Sequence, residues 1–208
     1  METHRKARRA TAAEGIVLRI VAFLLAATAL HVQTFAADER SIGVFVSLCD
    51  NVHQGIVRVP KAIGNGDDPD RNLYWGCDEG FMGVFAKCAQ WKGESVPPKD
   101  ISRVMRAYTC RNANDNVVLT AFAYRGSEIR SCLEDFEKAI ANGTYDLLAY
   151  IGHNGLMDFS LPTPVVEKSR KKAPECVVLC CKSQQHFQNR IEAMQAKPIL
   201  LTTQFMYP

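Results

Sequence analysis

The sequence has no strong excess of charge of either sign. Its 208 residues include 25 Lys and Arg against 22 Asp and Glu, which gives a net charge of +3. All of this excess lies in residues 1–36, so the rest of the chain carries no net charge. Proteins that bind nucleic acid through its phosphates need a basic face. The charge balance therefore argues against a nucleic-acid partner.

The sequence also lacks the spacings that mark metal and phosphate sites. It contains no C-x-x-C pair and no spacing typical of zinc ligands. The motif Gly64-Asn65-Gly66 has no further glycine after it and no strand leading directly into it, unlike a phosphate-binding loop. We therefore expect no metal and no organic cofactor. A nucleotide- or phosphate-binding α/β domain is accordingly the weakest of three functional hypotheses.

No apolar run has the flanks and length of an internal membrane span, and the N-terminal run resembles an export signal. A basic stretch at residues 5–9 precedes an apolar core at residues 20–30, shorter than the ~20 residues of a spanning helix. Residues 34–36 then resemble a cleavage site. We expect cleavage after Ala36 and a single periplasmic or extracellular domain over residues 37–208, with no membrane span. The alternative is an uncleaved anchor that begins at Ile16.

Cysteine, in contrast, is abundant. An even number of cysteines in an exported chain suggests disulfides. Several of these cysteines lie within apolar runs, where the residue often serves as a small core hydrophobe. The eight are Cys49, Cys77, Cys88, Cys110, Cys132, Cys176, Cys180 and Cys181.

Short apolar runs alternate along the chain with helical patterns. This alternation predicts an α/β domain built as a three-layer sandwich, with a mainly parallel sheet and helices on both faces. Ser127 is the expected N-cap of the second helix and Gly143 its stop. The predicted strands are 42–49, 101–108, 116–124, 146–152, 175–181 and 198–203, and the predicted helices are 73–88, 128–141 and 184–196.

Chemically useful side chains follow two successive predicted strands. His153 follows one strand and Cys181 the next, so both emerge at the same edge if the strands are neighbours, spaced by ~4.8 Å. A thiol at a helix N-terminus beside an imidazole can act as a nucleophile, with the imidazole as base and then acid. The backbone N–H groups of Asn154 and Gly155 are candidate oxyanion donors.

Two carboxylates at the same edge have weaker assignments. Asp50 could bind a basic substrate side chain, although a turn role fits its position better. Asp158 could contact substrate, orient His153 or cap a turn. Cys180 should lie on the opposite strand face from Cys181 and is interpreted as a core residue.

Together these residues resemble the caspase-like fold of caspases, legumains, gingipains and CHAT-domain peptidases. The similarity lies in YIGHNG (residues 150–155) and VVLCCKS (residues 177–183). It implies a cysteine peptidase that uses His153 and Cys181, needs no cofactor and acts on a peptide or protein. Segments 72–76, 152–158 and 201–206 also resemble an uncharacterised exported bacterial family of this type, over most of residues 42–208.

The sequence thus predicts an exported cysteine hydrolase of the peptidase type. The alternative is an inactive caspase-like domain that binds a peptide or envelope component. Asn154 favours this alternative, because the resembled families have Gly directly after the histidine. Cys180, in a position usually held by Ala, and the chain end at Pro208 favour it too, the latter suggesting a domain shortened at its C-terminal side.

Overall fold

A computed structural model describes residues 39–206, except residues 113 and 171. The predicted export signal and its cleavage site lie outside the described residues. Within the described part of the chain, no helix is long and apolar enough to cross a membrane.

Seven strands form one mixed, mostly parallel sheet. They are β1 (Arg40–Ser47), β2 (Lys92–Val96), β3 (Val104–Asn112), β4 (Val117–Tyr124), β5 (Leu147–Ile151), β6 (Glu175–Leu179) and β7 (Lys197–Leu201). Their spatial order is β2-β3-β4-β1-β5-β6-β7. From β4 to β7 all neighbours pair in parallel, whereas β3 pairs antiparallel with both β2 and β4. The predicted α/β class is confirmed.

The central strands are covered on both faces. In β1 the last six residues are all buried, and β5 is buried over its first four. Continuous apolar runs of this kind are typical of parallel strands that have no solvent-exposed face. The core accordingly forms one cluster on each side of the sheet.

The three described helices are distributed unequally over these two faces. They are α1 (Phe81–Phe85), α2 (Ile129–Asn142) and α3 (Ser183–Ala193). The two longer helices, α2 and α3, both contribute to the same core cluster. Trp75 and α1 cover the opposite face, mostly through irregular turns. The sheet is therefore as predicted, but regular helices on both of its faces are not clearly present.

The predicted helix over residues 73–88 is reduced to the five residues of α1. Gly76 and Gly80 explain the difference, since glycine disfavours helix interiors and the chain here coils too tightly for a side chain. A Cβ at Gly76 would lie 2.3 Å from the Asp70 carbonyl oxygen. The N-cap prediction for Ser127 is also wrong, because Ser127 lies in a 3₁₀ turn and makes no capping bond. Gly143 ends α2 as predicted, with a φ of 63°.

Strand order reverses at β1, which has β4 on one side and β5 on the other. Connections on the two sides of such a reversal leave the sheet in opposite directions. Ligands of open α/β sheets usually bind outside the carboxyl ends of the two strands beside such a reversal. This edge carries the loops after β1, β5 and β6.

The left-handed residue that follows α3 gives a testable prediction about stability. Gln195 is exposed and left-handed (φ 54°), and its N–H donates to Glu192 at 2.8 Å, as a glycine cap would. A side chain in this conformation costs roughly 1 kcal/mol, so Gln195→Gly should raise the free energy of unfolding by about that amount. Gln195→Ala keeps the Cβ and should leave the free energy of unfolding unchanged. Urea titration of both variants that gives equal stabilities would contradict the cap assignment.

Candidate active site at the carboxyl edge of the sheet

The pairing of β5 with β6 places the loops that carry the two predicted catalytic residues side by side. Ile151 pairs with Leu179 in parallel register. His153 and Cys181 each follow their strand by the same number of residues, so they leave the sheet at the same height. Neighbouring parallel strands lie ~4.8 Å apart. The predicted juxtaposition of the two loops is therefore present.

Gly152 turns the chain out of β5 toward His153. Its φ is 155°, and an added Cβ would lie 3.0 Å from both the Ser47 carbonyl oxygen and the Tyr150 hydroxyl. The backbone therefore passes too close to β1 for any other residue. The buried Tyr150 hydroxyl donates to the His153 carbonyl at 2.7 Å, which fixes the start of the loop from inside the core.

The His153 imidazole is buried and held by a carboxylate. Its Nε2 lies 2.7 Å from Asp158 Oδ2, and because a carboxylate only accepts, Nε2–H is the donor. The Gly55 N–H donates to the same oxygen at 3.3 Å, which joins the loop after β1 to the pair. In the neutral ring this bond leaves the lone pair on Nδ1. Asp158 thus orients His153, one of the roles considered for it from sequence.

Asn154 joins the histidine loop to the cysteine loop. Its side chain is fully buried, and Nδ2 donates to the Cys181 carbonyl at 2.6 Å. Oδ1 accepts from the Leu156 N–H at 3.2 Å and so closes the short turn that follows. The residue that departs from the caspase-like pattern is therefore the direct link between the two loops.

Cys181 is half-buried in the turn between β6 and α3. Lys182, the next residue, is left-handed (φ 49°) and precedes the first residue of α3. Ser183 locks this turn to the end of β7, since its N–H donates to Thr202 Oγ1 at 3.0 Å and Thr202 N–H donates to Ser183 Oγ at 2.7 Å. The thiol thus lies at a helix N-terminus, where the helix dipole favours negative charge.

The segment after β7 contacts the Cys181 sulfur directly. Met206 N–H donates to Sγ at 3.3 Å, and the thiol lies 3.6 Å from the Met206 carbonyl oxygen that accepts from it. The Lys182 N–H donates to the Gln204 carbonyl at 2.9 Å. Cys181 is thereby bonded through its sulfur to a neighbouring stretch of main chain.

The predicted oxyanion donors differ in their surroundings. The Gly155 N–H already donates to the His153 carbonyl at 3.0 Å, so it is engaged within its own loop. The other donor that the sequence suggested from this loop, the Asn154 N–H, belongs to a fully buried residue.

Asp50 is buried and makes the contacts of a turn residue. Its Oδ1 accepts from the Val52 and His53 N–H groups at 2.8 and 3.3 Å. Its Oδ2 accepts from the His53 ring at 2.8 Å. Because both oxygens of the carboxylate already accept hydrogen bonds from these donors, Asp50 is poorly placed to bind a basic substrate side chain. His53 itself is half exposed, in line with a surface loop position.

All eight cysteines are free thiols, so the expected disulfides are absent. Cys180 belongs to the core cluster on one face of the sheet, whereas Met206 packs against the cluster on the other face. Burial raises the pKa of the Cys180 thiol well above its ordinary value. Burial also raises the pKa of Cys49 to about 11, partly offset by a hydrogen bond from Tyr74. Most of these thiols are packing residues. Among the described residues, no cluster of three or more His, Cys, Asp or Glu could hold a metal ion.

Comparison with profiles of known protein families, with curated protein sequences and with solved structures found no match.

The side-chain or main-chain contacts of three residues at this edge were not predicted from sequence. The buried Asn72 side chain bridges the ends of two loops, because it bonds the Cys49 N–H and carbonyl at 2.9 Å each and the Asn65 carbonyl at 3.0 Å. Asn154 bridges the histidine and cysteine loops, and Met206 contacts the thiol. All three lie in segments that were named for their family resemblance, but that resemblance gave no bridging role to either asparagine and no contact with the thiol to Met206.

The burial of Cys49 yields a prediction about thiol reactivity. With a pKa of about 11 and no exposed surface, Cys49 should remain an unreactive thiol in the folded protein at about pH 8. Iodoacetamide should then label only the half-exposed Cys77, Cys88 and Cys181. Peptide mass spectrometry before and after unfolding in urea measures this directly. Labelling of Cys49 in the folded protein at the rate seen in urea would contradict the packing.

Proposed function

We propose that this chain is an exported cysteine hydrolase of the caspase-like type that cleaves peptide amide bonds. Cys181 is the nucleophile, His153 is its base, and Asp158 orients the histidine. One observation carries the proposal: Asn154 joins the His153 and Cys181 loops at 2.6 Å while Asp158 fixes the imidazole at 2.7 Å. A base held by an orienting carboxylate, on a loop bonded to the loop that carries the thiol, supports the assignment of Cys181 as the nucleophile.

In the first step the Cys181 thiol proton passes to Nδ1 of His153. The sulfur then attacks the carbonyl carbon of the substrate and forms a carbon–sulfur bond. The carbon–nitrogen bond breaks, and the leaving amine takes the proton from the imidazolium. Asp158 stabilises the imidazolium through the Nε2–H bond while the proton is held there.

In the second step water hydrolyses the thioester. His153 removes a proton from the water as it attacks the acyl carbon, and the carbon–sulfur bond breaks. The proton returns to the sulfur, so the carboxylic acid leaves and the free thiol is restored. The Asn154 N–H is the proposed donor to the oxyanion in both steps.

The compartment and the substrate class rest on different observations. Export is supported by the pattern of basic and apolar residues before residue 37. A peptide substrate is supported by the strand-end position of the site and by the main-chain contacts that Cys181 and Lys182 make with Gln204 and Met206. No metal or organic cofactor takes part in the proposed steps.

Two contacts favour a second candidate, a caspase-like domain that binds a peptide or envelope component without cleaving it. The Gly155 N–H is engaged by the His153 carbonyl, and the Met206 N–H is bonded to the nucleophilic sulfur. Both contacts would have to open before an oxyanion could be bound or the sulfur could attack. Turnover therefore separates the two candidates, since both use the same edge.

The dyad is tested by the rate at which iodoacetamide labels Cys181 between about pH 5 and pH 9. We expect His153→Ala to slow labelling near neutral pH by at least about tenfold, because the thiolate loses its imidazole partner. Asp158→Asn should slow it less, since the ring remains but loses its charged orienting partner. Cys88, which donates to Val84 outside this edge, serves as the internal reference. A Cys181 rate that does not depend on residue 153 would overturn the dyad.

Hydrolysis is tested separately with a library of fluorogenic peptides. Cys181→Ala should abolish cleavage, and His153→Ala should reduce it by roughly 10²-fold or more, the usual contribution of acid–base catalysis. If Cys181 shows histidine-dependent labelling but no peptide is cleaved, the binding candidate replaces the hydrolase.

A further inference from the structure

The stretch Gln204–Met206 lies across Cys181 and bonds to it through main-chain atoms. The Lys182 N–H donates to the Gln204 carbonyl at 2.9 Å. The Met206 N–H donates to the sulfur at 3.3 Å, and the thiol donates to the Met206 carbonyl. None of these three bonds uses a side chain of the stretch. Any peptide of similar conformation could make the same bonds.

Among the described residues, the strongest contacts that hold the stretch lie just before its first residue. Thr202, just before it, exchanges hydrogen bonds with Ser183 at 2.7 and 3.0 Å, and its hydroxyl also donates to the Cys180 carbonyl. At the other end, both bonds from Met206 go to sulfur, which is a weak donor and a weak acceptor. Release of Met206 from Cys181 would break these two weak bonds and the packing of its side chain, and would leave the bonds between Thr202 and Ser183 in place.

The surroundings of the stretch are apolar at Met206 and include one cation at Phe205. Met206 packs against the core cluster that contains Trp75, while Phe205 is 44% exposed and stacks under the Lys182 ammonium at 4.2 Å. Other exposed apolar side chains lie on loops of the same edge: Val52 and Val57 after β1, and Met157 after β5. An apolar ligand would bury this surface, whereas a charged ligand would have to be desolvated against it.

We infer that Gln204–Met206 is a built-in competitor for the peptide site of Cys181, and that the ligand it excludes is an extended peptide with an apolar side chain at the position of Met206. This inference rests on the proposed function only in taking Cys181 as the centre of the site. It holds equally for a domain that cleaves its peptide and for one that only binds it.

The competitor is tested by removing its N–H. Met206→Pro removes the donor to the sulfur, whereas Met206→Leu keeps both the N–H and an apolar side chain. We expect iodoacetamide to label Cys181 about twofold faster in Met206→Pro, the factor for a hydrogen bond at the weak end of the usual range, because sulfur is a weak acceptor. Met206→Leu should match the wild type. Cys49 must stay unlabelled in both variants, which shows that the fold is intact.

A second variant keeps the test valid if Met206→Pro does not fold. Met206→Asp keeps the backbone donor but places a charge against the apolar cluster, so it should also release the stretch and speed labelling. The inference is overturned if Cys181 is labelled at the wild-type rate in Met206→Pro and in Met206→Asp, or in whichever of these two variants folds.

The ligand class is tested with two synthetic peptides added to the variant whose stretch is released. Acetyl-Thr-Thr-Gln-Phe-Met-amide should slow the labelling of Cys181, and the matched peptide that ends in Asp-amide should not. Equal protection by both peptides, or by neither, would overturn the apolar assignment. The same variants are then compared in a His153→Ala background. Release of the stretch does not need the base, so the rate ratios should persist there. This comparison separates the inference from the dyad.

Discussion

The parallel pairing of β5 with β6 determines the geometry of the whole candidate site. Its register matches Ile151 with Leu179, so the chain leaves both strands at the same height. A slip of one residue would turn every side chain of a strand to the opposite face of the sheet. Such a slip is disfavoured here, because it would exchange Ala149 and Tyr150, which are fully buried on opposite sides of the sheet and differ greatly in volume. Core packing, which has no chemical role itself, thus fixes where the imidazole and the thiol can be.

Buried polar side chains extend this order from the strands into the loops. Asn72, Asn154 and Ser183 have no exposed surface, and each bonds to main-chain groups of a neighbouring loop. A buried amide left without partners would cost roughly 1–3 kcal/mol, so each loop is stable only beside its neighbour. The site is consequently pre-organised, and its one loosely held component is the main chain that bonds to the Cys181 sulfur.

The sequence predicted those features that depend on local patterns. Apolar runs predicted β1, β4, β5 and β6. The ends of the last two runs predicted the positions of His153 and Cys181. The edge strand β2 was missed because its residues, KGESV, are polar and nearly all exposed. The helix expected over residues 73–88 is shortened because the chain turns at Gly76 and Gly80 too tightly for a side chain, which outweighs the apolar period. Bridges such as Asn154 to Cys181 join residues distant in sequence, and the contact between Met206 and the thiol does so too. Neither kind of contact leaves a local pattern.

The state of the thiol and the position of the last segment are physically coupled. As a thiol, Cys181 both donates to the Met206 carbonyl and accepts from the Met206 N–H. In the proposed mechanism His153 takes the thiol proton, so the sulfur can no longer donate and, once negative, repels the carbonyl oxygen of Met206. The bond from the Met206 N–H remains and becomes charge-assisted. Proton transfer would thus replace two matched bonds by one bond and one repulsion. A substrate peptide would place its electrophilic carbonyl carbon, rather than a carbonyl oxygen, against the negative sulfur. The proposed base would therefore also favour the exchange of Gln204–Met206 for an external peptide.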